Sequence, residues 1–255
     1  MIRSVLTAAA AAAGLSSVAA ADSFTIAYQG TTSGTAVNAN FTGTGVYSAG
    51  LTGAGNGGQF TFVKSGGGGT HHAYCIQIGD QGFSGNYSSV ALDFAPEPAN
   101  NAPQNPVPMG SWKARVLRAL TGKNLDMFAT ISTAAEKSKA RAFQLAVWEV
   151  VYTGMSGVTN TTQLLAWAQG LVANSTTYNA ANDNLTFGAQ AANLTAMNSL
   201  FNSLTVADLD GNGAGYAWTS ATGQDVLVIP VPAPALLAGV GLIGVVALRR
   251  RSAKA

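Results

Sequence analysis

The stretch that decides the fold runs from Thr133 to Tyr152 and reads TAAEKSKARAFQLAVWEVVY. Alanine and long side chains dominate it, and these residue types lose least on entering a helix. Gly154 follows and supplies a stop signal. The stretch predicts the strongest helix of the chain. Within it Phe143, Val147 and Val150 or Val151 fall on one side, while Gln144 and Trp148 lie one turn apart on an adjacent stripe. A glutamine set among apolar residues costs free energy if it is buried unpaired. Gln144 therefore needs a partner from elsewhere in the chain.

Before this helix the sequence favours strands. Phe24 to Tyr28, Phe41 to Tyr47 and Gln59 to Lys64 are short β-favouring runs separated by glycine and asparagine. Ser65 to Thr70 reads as a glycine-rich loop, and Ala73 to Ile78 as a further strand. On that strand Tyr74, Ile76 and Ile78 share one face, with Cys75 and Gln77 on the other. Pro96, Pro98, Pro103, Pro106 and Pro108 predict a loop or linker over Ala95 to Met109. Ser111 is placed to cap a helix that runs to about Thr121, with Gly122 ending it. Thr161 to Ala173 and Ala189 to Leu204 are further amphipathic candidates, and Tyr216 to Ser220 and Asp225 to Ile229 read as closing strands. Strands, then helices, then strands predict an α+β fold: a small β-sheet or barrel with an inserted helical bundle.

The two ends read differently from the middle of this 255-residue chain. Arg3, the apolar run Val5 to Leu15 and the small residues Ala19-Ala20-Ala21 have the order of a secretory signal, with cleavage between Ala21 and Asp22. Val231 to Leu248 is apolar and is followed by Arg249, Arg250 and Arg251. A spanning helix needs about 20 apolar residues, and the run reaches back to Val226 if its prolines are tolerated. The arginines would stay cytoplasmic by the positive-inside rule, leaving everything before them outside. The expected organisation is a signal peptide over 1–21, an extracellular domain over 22–225, and a sorting signal with a transmembrane anchor over 226–251. Charged residues make up 9% of the chain and the net charge is +2. No basic stripe runs through the middle, which excludes a nucleic-acid binder, and no cofactor motif is present.

Cys75 is the only cysteine. An internal disulfide is impossible, which leaves intermolecular pairing, a functional thiol, or a buried thiol acting as a small hydrophobe. Two motifs bear on the choice. Tyr74-Cys75-Ile76 and Phe143-Gln144-Leu145-Ala146-Val147-Trp148 together resemble the paired signature of bacterial thioester domains. In that family a cysteine sulfur displaces ammonia from a glutamine carboxamide and leaves an internal thioester. The resemblance implies a bond between Cys75 and Gln144, and single-use covalent capture of an amine or hydroxyl on a surface or matrix partner. Tyr74, Ile76, Phe143, Val147 and Trp148 would form the water-excluding pocket. A thiolate is the competent nucleophile, and His71 and His72, just upstream, are candidate bases. The tail Val231-Pro232-Ala233-Pro234-Ala235, with its apolar run and arginines, resembles PEP-CTERM sorting signals, with Ala233 where the usual pattern has Glu. That resemblance implies processing by an exosortase-type enzyme at the membrane, in a bacterium that makes extracellular polysaccharide.

Other signals carry less. Asp208 to Gly213 opens like a calcium loop, but Thr219 stands where the bidentate glutamate belongs, so it reads as a turn. His71, His72 and Cys75 match no standard zinc spacing, so no metal is expected. A cysteine hydrolase would need an oriented base across a cleft. The alternative to covalent attachment is a non-covalent structural protein of the extracellular matrix or envelope, sorted by the same tail.

Overall fold

A computed structural model describes residues 23–33, 35, 37–42, 53–66, 69–78, 82–83, 85–99, 102–174, 186–187, 191–211, 213, 215–221 and 223–229. The signal segment with its Ala21–Asp22 cleavage site and the tail from 230 onward lie outside the described residues. No described helix is long and apolar enough to cross a membrane.

The described elements follow in chain order. Strands β1 (Phe24–Thr31), β2 (Val37–Thr42), β3 (Gly53–Gly57), β4 (Phe60–Lys64), β5 (Thr70–Cys75) and β6 (Asn86–Ala91) come first, then β7 (Pro96–Ala99) and β8 (Ala102–Pro108). Helices α1 (Gly110–Lys123), α2 (Ala134–Tyr152) and α3 (Thr161–Asn174) follow. Strand β9 (Thr186–Phe187), helices α4 (Ala191–Asn202) and α5 (Val206–Asp210), and strands β10 (Tyr216–Thr219) and β11 (Val226–Val228) complete the order. The fold is α+β, built on a closed antiparallel barrel of order β1-β4-β5-β11-β10-β6. The helices are inserted between β6 and β10. A small sheet of order β3-β2-β9 and the β7–β8 hairpin stand apart from the barrel.

Alternation along the strands sorts side chains into two layers. Phe60 pairs with Ala73 and Phe62 with His71, Val226 pairs with Cys75, and Trp218 pairs with Val226. Directly paired residues share a face, so these side chains line the barrel interior. Phe24 packs edge-on to Trp218 there, with ring centroids 5.1 Å apart. Tyr74 points the other way, against Phe143 of α2 at 4.8 Å and Phe128 at 5.2 Å.

Helix α2 begins where Thr133 and Glu136 satisfy each other's end groups. Thr133 Oγ1 accepts from the Glu136 amide at 3.2 Å, and the Glu136 carboxylate accepts from the Thr133 amide at 2.8 Å. The amides of Thr133 and Ser132, the latter donating at 2.9 Å, hold the Glu136 carboxyl down at about 2. From Ala142 to Tyr152 every residue is buried. The helix is the hub of the domain, enclosed by α1, α3, α4 and the barrel wall.

Several expectations need correction. The proline-rich stretch is a hairpin, with Pro96 opposite Pro108 and Glu97 opposite Val107. A two-stranded ribbon is all edge, so proline's missing N–H can face outward without breaking a ladder. Helix α1 starts at Gly110 with no side-chain cap, so Ser111 sits inside its first turn. It runs past Gly122, and Asn124 Nδ2 takes up the Leu120 carbonyl at 2.7 Å. Asp208 lies in α5 rather than an open turn: it caps that helix with Thr205 and meets Lys123 at 2.9 Å. Val226, placed by the sequence at the near edge of the anchor segment, begins the last barrel strand, so a domain cut at Asp225 would remove β11.

Candidate functional site

The site forms where the barrel ladder opens. On one side β5 pairs with β11 through Cys75, and the Ile76 amide continues that ladder to the Asp225 carbonyl at 2.9 Å. On the other side the β4–β5 ladder stops at Phe60 opposite Ala73. Carried two residues further, that register would set Gly58 opposite Cys75. The side chain of Gln144 occupies the gap. Its Nε2 donates to the Cys75 carbonyl at 2.8 Å. Its Oε1 accepts from the Cys75 amide at 2.9 Å and from the Gly58 amide at 3.4 Å. A helix side chain thus takes the place of a strand residue. This is the partner that the buried glutamine required.

Gln144 is the first of three α2 residues at four-residue intervals that hold the chain after β5. Trp148 Nε1 donates to the Gln77 carbonyl at 3.3 Å, and the Tyr152 hydroxyl accepts from the Ile78 amide at 2.6 Å. Gln224 Nε2 reaches the same Gln77 carbonyl at 2.8 Å. Residues one helical turn apart share a face, so one stripe of α2 fixes Cys75 to Ile78. Gly57 closes the other side. A Cβ there would stand 2.3 Å from Trp148 Cη2 and 2.6 Å from Gln144 Cγ, so only glycine fits.

Of the pocket residues expected from sequence, Tyr74, Ile76, Phe143, Val147 and Trp148 are all buried, as are Cys75 and Gln144. Tyr74 also anchors the wall through its hydroxyl, which donates to the Met127 carbonyl at 2.8 Å. Burial pushes the Cys75 thiol well above its ordinary value. It pushes the Asp225 carboxyl up to about 6, against a Ser220 amide that donates to Oδ1. Tyr87 is raised to about 12 by burial, then by the charges of Asp225 and Cys75. Tyr152 is raised by burial, despite its bond to Ile78, and by the same two charges. Cys75, Asp225, Tyr87 and Tyr152 form one dry, electrostatically linked group.

Neither candidate base stands at the thiol. His71 is four strand residues from Cys75, about 13 Å at an ordinary strand rise, and packs edge-on to Trp218 at 4.8 Å. His72 lies on the opposite face, 3.4 Å from Thr61 Oγ1, and burial lowers its basicity. Strand spacing works against proximity in sequence here. No group of His, Cys, Asp and Glu able to hold a metal occurs among the described residues. The sorting-signal residues Val231 to Ala235 and Arg249 to Arg251 lie outside them.

Sequence reading missed Gly57, Gly58, Tyr152 and Gln224. Tyr152 was legible as the next member of the Gln144–Trp148 spacing. The two glycines had no local signal beyond a turn. Compared with protein-family models, characterised proteins and solved structures, the chain matches none of them.

Proposed function

We propose that Cys75 and Gln144 close an internal thioester that serves for one covalent attachment to an amine or hydroxyl on a surface or matrix partner. The observation that carries this reading is the clamped carboxamide: Gln144 is hydrogen-bonded in both directions to the backbone of Cys75. In the forming step the Cys75 sulfur bonds to Cδ of Gln144, the Cδ–Nε2 bond breaks, and Nε2 leaves as ammonia with the thiol proton. In the capture step a partner amine or hydroxyl bonds to Cδ. The Cδ–S bond breaks, and the thiol regains a proton. Burial of Tyr74, Ile76, Phe143, Val147 and Trp148 with the pair itself supports a bond protected from water. Each molecule acts once, so this is not turnover. The exported location, the membrane stage and the exosortase-type processing belong to the same proposal and rest on the two end segments.

Intact mass tests it. The purified chain is expected to be one ammonia lighter than its sequence, while Cys75→Ala and Gln144→Ala chains have full mass. Full parental mass with an unmodified Gln144 in the peptide digest overturns the reading. The second reading is a non-covalent structural protein of the matrix or envelope. It is favoured by the same three hydrogen bonds acting as a clasp. It predicts that unmodified Gln144 and a thiol that titrates once the chain is unfolded.

A further inference from the structure

Both steps of the proposed chemistry place negative charge on one atom, Oε1 of Gln144, as Cδ becomes tetrahedral. Two main-chain donors already aim at that atom, one from each side of the open seam: the Cys75 amide at 2.9 Å and the Gly58 amide at 3.4 Å. We propose that these two N–H groups are the oxyanion-stabilising pair for forming and opening the thioester, with Gly58 the donor that acts mainly in the transition state. This inference rests on the thioester reading and names the groups that would drive it.

The two distances differ in a useful way. Only interactions that strengthen between ground and transition state accelerate a reaction. The Cys75 bond is already at its best length, whereas the Gly58 bond is long and gains most when Oε1 becomes an oxyanion. Preorganisation is the second requirement, because a donor that must reorient at the moment of reaction loses its advantage. Gly58 is held from several directions. Its neighbour Gln59 donates its amide to Thr35 Oγ1 at 3.2 Å and accepts the Thr32 amide at 2.9 Å. Gln59 Nε2 reaches the carbonyls of Met127 and Ala129, both at 2.8 Å. Gly58 itself has φ +153°, and a Cβ there would stand 2.7 Å from the Thr35 carbonyl oxygen. The consecutive glycines have separate tasks. Gly57 lets Gln144 and Trp148 come close, and Gly58 turns its N–H onto Oε1.

The test replaces one N–H with an ester oxygen and leaves every side chain in place. Glycolic acid placed at position 58 of the full chain by nonsense suppression converts that amide to an ester. The readout is the rate of methylamine capture, followed as gain of intact mass, with near-ultraviolet circular dichroism reporting the fold. Loss of one such donor is expected to slow capture about 100-fold. A Thr35→Ala chain keeps the N–H but loosens its support, and is expected to slow capture about tenfold. It carries the test if the ester chain does not fold. If the parent carries the thioester and the folded variants capture methylamine at the parental rate, the oxyanion role falls while the thioester stands. If the parent never loses ammonia, both fall together.

Discussion

Strand β5 meets its two neighbours by different means at one residue. Toward β11, Cys75 lies opposite Val226 and the backbone ladder runs on to Ile76 and Asp225. Toward β4, the ladder ends two residues early and the carboxamide of Gln144 completes it. The first seam depends on main-chain groups that every residue type except proline carries. The second depends on one side chain of one length with a donor and an acceptor at its tip. A barrel seam of the second kind holds a carboxamide against the backbone of the residue that carries the buried thiol, and depends on a single side chain.

The largest expected effect breaks the open seam. Gln144→Met keeps length and volume but removes the amide, leaving the Cys75 amide and carbonyl and the Gly58 amide buried without partners. Unsatisfied buried groups cost about 1–3 kcal/mol each, so a loss of about 4 kcal/mol is expected. The measurement is urea unfolding in a Cys75→Ala background, where no covalent bond contributes. A loss below about 1 kcal/mol would show that the clasp carries little stability.

The closed seam holds its own liability, and pH exposes it. Asp225 has a carboxyl raised from an ordinary 3.8 to about 6. A folded value above the unfolded one means stability is fully present below pH 3.8, is lost as pH rises through 6, and is level above that. The shift corresponds to about 3 kcal/mol. Asp225→Asn keeps an acceptor for the Ser220 amide and cannot ionise. It should gain about 3 kcal/mol at pH 7 and nothing at pH 3. Equal effects at both pH values would mean that ionisation of Asp225 is not the cause.

How much of this was legible follows the same division. Local pattern was sufficient for α2, because twenty residues of consistent propensity outweigh context. It sufficed also for the runs that became β1, β4, β10 and β11, and for Gln144 as a buried side chain in need of a partner, whereas its link to Cys75 came only through the family resemblance. Pattern misread the β7–β8 hairpin, since a proline rule written for central strands does not bind a ribbon that is all edge. It also placed His71 and His72 near Cys75, because adjacency in sequence is about 3.3 Å per residue along a strand and alternates between faces. Gly58 could not be read at all. Its importance comes from a register between β4 and β5 that stops at Phe60 and Ala73, and from a helix 86 residues away.

A smaller effect sharpens the account of the open seam. Gly57 has no strained backbone, so Gly57→Ala tests sterics alone: its Cβ meets the Trp148 ring and Gln144 Cγ below van der Waals distance. Overpacking of this kind costs about 2 kcal/mol. The near-ultraviolet signal of Trp148 should change with it. An unchanged signal with unchanged stability would mean that the segment moves aside freely.

The smallest effect is expected on the closed seam, from the same replacement used on the open one. Leu227 is buried opposite Tyr74, as central to its seam as Gln144 is to the other. Leu227→Met conserves volume and leaves every ladder hydrogen bond in place, because those bonds belong to the backbone. Such swaps usually cost about 1 kcal/mol. If Leu227→Met and Gln144→Met cost the same in urea, packing governs both seams and the side-chain amide has no special part in holding β5. If the open seam loses several-fold more, the hydrogen bonds that hold Gln144 against Cys75 are also what closes the barrel there. Any chemistry that removes Nε2 would then have to leave Oε1 anchored to keep the wall intact.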